Sequence, residues 1–204
     1  MSELSDDYLV KLIEGAIFAS STPLSLTKIK QQLLVDYHVS HQQVLDAIET
    51  ISTIYKDRAI QLVDVASGYR FQVIEAVARD IAVLFQDKAP RYSRAILETL
   101  ALIAYKQPIT RGEIEDVRGV SVSSHIIKTL LERNWIKEVG HKEVPGRPAL
   151  LATTKEFLDY FSLKSLAQLP QLMPVSESSI LDLEIDNSHS TIEESTQKRE
   201  TETK

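Results

Sequence analysis

The histidines and the clustered carboxylates are the side chains of this chain that could support acid–base or metal chemistry. Of the five histidines, only His38 and His41 are close in sequence, and no carboxylate cluster accompanies them. A zinc site needs three or four ligands, so this pattern favours two exposed polar residues over half of such a site. The acids at residues 6–7 and 113–116 are typical of first helical turns, where the helix dipole favours a carboxylate. No paired general acid and base is indicated.

Motifs that bind nucleotides or activate nucleophiles are absent from the sequence. It contains no P-loop, no dinucleotide-binding glycine motif, no H-E-x-x-H and no G-x-S-x-G. It also contains no cysteine, which excludes disulfides, thiol catalysis and cysteine-based zinc or iron–sulfur sites. We therefore predict a protein that is not an enzyme and that binds neither a cofactor nor a metal.

Composition indicates a folded protein that does not enter a membrane. The 204 residues are 43% hydrophobic, which suits one domain or two small ones. No run of apolar residues is long enough to cross a bilayer. Residues 1–7 are polar and acidic, where a signal peptide would be basic and then apolar. The prediction is a cytoplasmic protein without a membrane partner.

Charge divides unevenly along the chain. Residues 1–86 carry 7 basic against 11 acidic side chains, residues 87–172 carry 13 against 10, and residues 173–204 carry 3 against 8. A dedicated nucleic-acid binder usually has a strongly basic domain, because phosphate neutralisation supplies most of its affinity. Here only the middle block is even weakly basic.

Hydrophobic spacing predicts three helices and then a hairpin in the first half. Apolar residues recur at helical spacing in three stretches: residues 8–17, 29–34 and 44–51. Ser5 or Asp6 can cap the first of these helices and Ser40 the third. Two β-prone runs follow, residues 60–65 and 69–73, on either side of a turn sequence that ends at Gly68. Helix, helix, helix, hairpin is the order of a winged-helix domain.

The second half repeats this order after a shift of 85 residues. The shift aligns Pro23 with Pro108, Leu24 with Ile109, Ser25 with Thr110 and Ile29 with Ile114. We expect each hydroxyl to cap the next helix and each isoleucine to point into a core. The predicted inward residues are Ile96, Leu97, Leu100, Ile103 and Ala104 in the first helix of this half and Ile114 and Val117 in the second, with Ser121 capping the third. We interpret the repeat as a duplication.

The predicted fold class is therefore mainly α with small β-hairpin wings, an α+β arrangement of two tandem winged-helix domains. The domains are predicted at residues 1–88 and 89–172. A disordered acidic tail is predicted at residues 173–204, which lack aromatic residues and glycine after Pro174. Within this tail, the apolar residues Ile180, Leu181, Leu183 and Ile185 could form a docking segment or an unused apolar patch.

The last two strands are predicted at residues 135–139 and 149–153. A rigid tip is predicted between them. Its sequence is Pro145-Gly146-Arg147-Pro148, in which the prolines fix φ and the glycine permits a turn. Arg147 could bind a phosphate, pair with an acid of a protein partner, or brace its own hairpin. Other cations could share this surface or form an ordinary solvated face: Lys106, Arg111, Arg118 and Lys142.

The order of the elements suggests DNA binding, whereas the charge argues against it. Winged helices meet DNA through the third helix and the wing. In the first half the third helix carries Gln42, Gln43, Asp46 and Glu49, and its acids would repel phosphates. We keep a winged-helix DNA-binding transcriptional regulator as the alternative function.

Two short strings identify a resemblance. Lys-Gln-Pro-Ile-Thr-Arg at residues 106–111 and Val-Pro-Gly-Arg-Pro at residues 144–148, in this order and separation, resemble the bacterial segregation and condensation protein B family. The resemblance covers about residues 8–172 and is strong from residue 93 onward. It implies a non-enzymatic adaptor subunit of an SMC–kleisin complex, which supports chromosome condensation and segregation during cell division.

The resemblance also implies partners and a cellular location. It implies a homodimer formed chiefly through the N-terminal domain, and binding to the central region of the kleisin subunit, segregation and condensation protein A. The kleisin would link the chain indirectly to the SMC ATPase, contact with DNA would be weak or indirect, and the protein would be associated with the nucleoid. The residues predicted to contact the kleisin are Tyr105, Lys106, Arg111, Pro145, Gly146, Arg147 and Pro148. For dimerisation we predict Leu9, Leu12 and Ile13, which could equally be buried core.

Overall fold

The computed structural model describes residues 4–85 and 92–171 of the chain. The predicted domain boundary at residues 88–89 and the predicted disordered tail at residues 173–204 lie outside these ranges. Of the described residues, those up to Leu169 form one compact unit. This unit contains two separate hydrophobic cores, one in each half of the sequence.

Hydroxyl caps start the first three helices of the chain. The helical elements are α1 (Asp6–Ala19), α2 (Leu26–Lys28), which continues as a π-helical segment (Ile29–Leu33), and α3 (His41–Ile54). The predicted caps Ser5 and Ser40 are confirmed, since their hydroxyls accept the N–H groups of Tyr8 and Gln43. Ser40 and Gln43 form a reciprocal capping box.

A hairpin and one further helix complete the first half. Strands β1 (Ile60–Val65) and β2 (Gly68–Val73) pair antiparallel, with Val65 opposite Gly68. Leu24 pairs with Tyr69 as an isolated bridge beside β2. Helix α4 (Glu75–Ala82) follows, and the sequence did not predict it. It contributes no fully buried side chain.

The second half has the same order with an added short strand. Its elements are α5 (Arg94–Lys106), β3 (Ile109–Thr110), α6 (Arg111–Arg118), α7 (Ser124–Glu132), β4 (Ile136–His141), β5 (Ala149–Thr153), α8 (Lys155–Tyr160) and a 3-10 turn (Leu166–Gln168). The strands form a sheet in the order β3-β5-β4. A β-bulge between Glu138 and Gly140 places Val139 as an extra residue in the edge strand β4.

The repeat predicted from the sequence has a structural counterpart at three of the aligned positions. Ile29 and Ile114 are both fully buried, as expected. Ser25 and Thr110 both accept a backbone N–H of the helix that they cap. Leu24 bridges to β2 just as its counterpart Ile109 pairs with β5, opposite Leu151.

Three details of the second half differ from the prediction. The cap position of α7 is Ser123 rather than Ser121, because Val122 is buried and its N–H donates to Glu115. Leu97 is exposed, since it lies about 120° around the helix from the buried Ile103. Val117 is also exposed, because only Ile114 of the short helix α6 reaches the core.

Each half is held together by its own apolar cluster. The buried members in the first half are Leu9, Ile13, Ile17, Ile29, Leu34, Val44, Ala47, Ile48 and Ile51. Those in the second half include Leu100, Ile103, Ile114, Val122, Leu130, Trp135, Leu151 and Phe157. The mixed α+β class with two small antiparallel sheets is confirmed.

The two halves meet in a polar seam between the first hairpin and residues 159–164, at the end of α8 and directly after it. Backbone amides of the hairpin turn donate to the second half: Ser67 to the Asp159 carboxylate and Ala66 to the Leu163 carbonyl, both at 3.0 Å. Side chains add an Arg70–Ser162 hydrogen bond of 3.1 Å and a Lys164–Asp64 ion pair of 2.6 Å. The seam contains no residue of either buried core.

Gly68 provides a test of how closely the first hairpin packs. Its φ is +138°, and an added Cβ would lie 2.4 Å from the backbone of Leu24. We expect Gly68→Ala to lower the free energy of unfolding by about 1–3 kcal/mol, as strained backbone does. In contrast, Gly15→Ala in α1 has no neighbour within 4 Å and should raise it by about 0.5–1 kcal/mol. Urea unfolding of both variants measures these changes in the free energy of unfolding. Equal changes in the two variants would contradict the close packing at Gly68.

Candidate partner-binding surface

The two strings that carry the resemblance occupy neighbouring loops of the second half. Residues 106–111 connect α5 to α6 through strand β3, and residues 144–148 connect β4 to β5. Both loops contact the same sheet, because β5 pairs with β3 on one side and with β4 on the other. The structure therefore places them on one framework.

Gln107 fastens the first loop to the sheet. Its side-chain oxygen accepts the backbone N–H of Thr153 at 2.7 Å and the Thr153 hydroxyl at 3.0 Å. Its side-chain nitrogen donates to the Ala104 carbonyl at 3.1 Å. The Gln107–Pro108 peptide bond is cis. All polar atoms of the Gln107 side chain thus act within the fold rather than on a partner.

Thr110 and Glu113 form the start of α6. Thr110 is buried, pairs with Leu150 of β5, and caps the helix. One Glu113 oxygen accepts the Thr110 N–H at 2.8 Å and the Thr110 hydroxyl at 2.9 Å. Its position in the sequence predicts Glu113 only as a first-turn acid. The T-x-x-E spacing of a capping box could have identified its second role.

The other oxygen of Glu113 ties the helix to the wing. It lies 2.5 Å from Nζ of Lys142, the residue after strand β4. The Lys142 ammonium, together with the amide and hydroxyl of Thr110, lowers the pKa of Glu113 from its ordinary 4.5 to about 2. The base of the wing and the start of α6 are thus joined by a charge-assisted hydrogen bond.

Arg111 also has partners within the fold. Its guanidinium lies 3.0 Å from Glu115 and donates to the Ser124 hydroxyl at 3.1 Å. The Val122 amide and the Arg111 guanidinium lower the pKa of Glu115. Arg111 remains half-exposed, so one face of it is open to solvent.

The wing tip is closed by its own backbone and remains accessible. Lys142 N–H donates to the Pro148 carbonyl, and Arg147 N–H to the Val144 carbonyl, both at 2.9 Å. Arg147 lies 2.8 Å from Glu143, with 71% and 79% of their side chains exposed. An ion pair this exposed contributes little to stability, so the brace leaves Arg147 available to a partner.

The remaining residues considered for this surface, Lys106, Arg118 and Tyr105, lie in different environments. Lys106 is exposed at the end of α5, and Tyr105 beside it is half-buried. Arg118 does not share this surface, because its largely buried guanidinium donates to Glu98 at 2.9 Å and lies near Thr99. Sequence spacing gave no signal for this contact, which joins residues twenty positions apart.

The residues predicted for dimerisation lie mostly inside the first core. Leu9 is 2% and Ile13 is 0% exposed, and Leu12 is only partly buried. An interface needs exposed side chains, and the folded chain supplies none at Leu9 or Ile13. A different apolar surface follows α4, where Val83, Leu84 and Phe85 are 81%, 78% and 66% exposed.

The residues considered for metal chemistry stay apart. His38 and His41 are both exposed. In residues 4–85 and 92–171, no three His, Cys, Asp or Glu side chains are placed to hold a metal ion. Among the helices that the structure describes, none has the length and hydrophobicity needed to span a bilayer.

The family model and the curated relatives that match this chain belong to one family. The family model described as segregation and condensation complex subunit ScpB matches residues 11–172. The segregation and condensation protein B homolog of Coxiella burnetii is 51% identical over 164 residues, covering 80% of this chain and 78% of that protein. Segregation and condensation protein B of Desulforamulus reducens is 39% identical over 177 residues, covering 84% and 93%. Among solved structures, ScpB from Mycobacterium tuberculosis is 29% identical, with 78% and 98% coverage and a TM-score of 0.38.

The junction at Glu113 should make stability depend on pH. Because folding lowers the pKa of the Glu113 carboxyl group, its ionised form stabilises the fold at pH values above the ordinary pKa of 4.5. This stabilisation is lost as the pH falls toward about 2. Urea unfolding at about pH 5 and about pH 3 measures how much free energy of unfolding each variant loses as the pH falls. The wild type should lose more than Glu113→Gln. Lys142→Met, which removes the strongest partner, should show an intermediate loss. Equal losses in wild type and Glu113→Gln would contradict the assignment.

Proposed function

Because the chain belongs to the ScpB family of segregation and condensation complex subunits, we propose that it is a non-enzymatic adaptor that binds the kleisin as a homodimer. The observation that carries this proposal is the family match over residues 11–172, which includes both halves and both characteristic strings. The kleisin is segregation and condensation protein A, through which the adaptor acts indirectly on the SMC ATPase. Its place is the cytoplasm, in association with the nucleoid.

The kleisin site is proposed at the wing tip and the loop between α5 and α6. Support comes from the junction at Glu113, which holds the base of the wing against the start of α6. A site built from two loops binds well only if the loops are held in register before the partner arrives. Arg147 then presents an accessible cation beside the prolines of the tip. Lys106 is a second exposed cation, next to Gln107, which contacts the other end of β5 at Thr153.

Charge suits an acidic kleisin segment at this site. The second half is the one block of the sequence with more basic than acidic residues, 13 against 10. Among the residues that the structure describes there, most cations have acidic partners within the fold, including Arg111, Arg118 and Lys142. The proposed contact therefore depends on the few accessible cations, which favours an acidic protein segment over a DNA backbone.

For the homodimer we propose the apolar surface at residues 83–85. Three consecutive large apolar side chains with exposures of 66–81% are an unusual surface for a monomer. They follow α4, which has no fully buried residue of its own. This location lies in the first half, where the resemblance implies that dimerisation occurs.

Direct DNA binding is the alternative function, and α7 is where it would occur. The exposed Lys128 of α7 pairs weakly with Glu132 at 3.7 Å, and Ser124 is engaged by Arg111. The acids on α3 leave the first half without a cationic third helix. Retention on DNA that falls steeply with salt would favour the regulator over the adaptor.

Light scattering on a size-exclusion column tests the assembly. The chain of 23.0 kDa should elute as a dimer and shift to a larger stable species when the kleisin is added. Leu84→Glu should give a monomer, because it places a charge in the proposed interface. The matched control Leu97→Glu, an exposed leucine of the second half, should remain a dimer. A wild-type monomer, or a dimer of Leu84→Glu, would reject the interface.

Calorimetry with the kleisin separates the two roles of Arg147. The double variant Lys106→Glu and Arg147→Glu should weaken binding by roughly tenfold or more, because it places two negative charges against an acidic segment. Glu143→Ala breaks the brace but keeps Arg147, and it should leave the affinity nearly unchanged. Equal losses in both variants would show that Arg147 acts through its hairpin and not through the partner.

A further inference from the structure

A groove runs between α3 and the hairpin in the first half of the chain, away from the loops proposed for the kleisin. Its volume is about 280 Å³. The lining residues are Leu45, Ile48, Glu49, Ser52, Leu62, Asp64 and Tyr69. This is slightly below the roughly 300–1,000 Å³ of ligand pockets, and it suits one or two side chains better than a cofactor.

The groove has one wall from a helix and one from a strand. Leu45, Ile48, Glu49 and Ser52 follow one another at steps of three, one and three residues, so they share one face of α3. Leu62 and Asp64 are two residues apart in β1 and therefore share one face of the hairpin. Tyr69 lies opposite Asp64 in the register. Both walls are regular structure.

The apolar part of the groove is fixed in place. Ile48 is 7% exposed and belongs to the first core, against which Leu62 and Tyr69 pack while remaining partly exposed. The backbone of Tyr69 is held by two hydrogen bonds to Leu24, at 2.8 and 3.0 Å. A partner side chain would thus meet a preformed surface and need to order little of it.

The rim of the groove is acidic. Glu49 forms no ion pair with any residue that the structure describes. Asp64, on the other wall, is paired with Lys164 at 2.6 Å, and 62% of the lysine side chain is exposed. Within residues 1–86, acidic side chains outnumber basic ones by 11 to 7.

The shape and charge of the groove indicate which side chains a bound segment would carry. The third helix of a winged-helix domain is the element that usually enters DNA, but carboxylates on this helix would repel phosphates. Apolar walls with acidic edges instead complement apolar side chains flanked by cations. The ion pair between Asp64 and Lys164 shows where such a cation would bind.

We propose that the groove between α3 and β1 binds a protein segment in which one or two large apolar side chains are flanked by lysine or arginine. The segment's cations contact Glu49 and Asp64, and its apolar side chains contact Leu45, Leu62 and Tyr69. Lys164 competes for Asp64, so binding displaces Lys164 and removes one contact of the seam between the halves. This proposal does not depend on the kleisin site, because it uses no residue of that site.

Fluorescence anisotropy with the full chain and a labelled 14-residue leucine–lysine helical peptide tests the proposal. A lysine–serine peptide of equal charge and a leucine–glutamate peptide serve as reference probes, and both should bind at least roughly tenfold more weakly. Lys164→Ala should tighten binding by about 1.5- to 5-fold, the range expected for loss of an exposed competing ion pair.

Charge reversal on α3 supplies the matched comparison. Glu49→Lys should weaken peptide binding at least roughly fivefold, whereas Asp57→Lys makes the same change in charge at an exposed site outside the groove and should have a smaller effect. Equal effects would mean general electrostatic attraction and would overturn the proposal. An unchanged affinity in Lys164→Ala, or equal binding of the lysine–serine peptide, would overturn it as well. If Glu49→Lys unfolds, Glu49→Gln against Asp57→Asn gives the same comparison.

Discussion

The carboxylate of Glu113 is the point where three elements of the second half meet. One oxygen completes the cap of α6 on Thr110, and the other binds Lys142 at the base of the wing. Thr110 itself belongs to strand β3, so the same few atoms join helix, sheet and hairpin. The proposed partner surface is made of two loops that have no covalent connection near their tips, so it would depend on this junction.

Gln107 attaches the loop between α5 and α6 to the end of β5 that lies away from the wing tip. Its side chain links the end of α5 to Thr153 of β5, so residues between α5 and α6 are held at both ends. The characteristic residues of the two strings therefore divide into two kinds. Gln107, Thr110 and Arg111 build the frame, whereas Lys106 and Arg147 remain open to a partner.

Local rules predicted much of this fold, and contacts between distant residues account for most of what they missed. Caps and buried isoleucines followed from spacing, because a hydroxyl and the isoleucine four residues later act within one helical turn. For Leu9 and Ile13 the sequence leaves interface and buried core equally open, because an apolar stripe looks the same whether it meets its own core or another chain. The contacts of Lys142 with Glu113 and of Arg118 with Glu98 join residues 29 and 20 positions apart, and no periodicity encodes them.

The bulge in β4 affects how readily copies of this chain could associate through the edges of their sheets. β4 is an edge strand with an exposed valine, and such edges offer unpaired N–H and C=O groups on which another chain can assemble. The extra residue at Val139 bends the strand and interrupts that row of groups, and the neighbouring Lys137 and Glu138 add charge. The edge of this sheet is thus protected against strand-to-strand aggregation between copies of the chain.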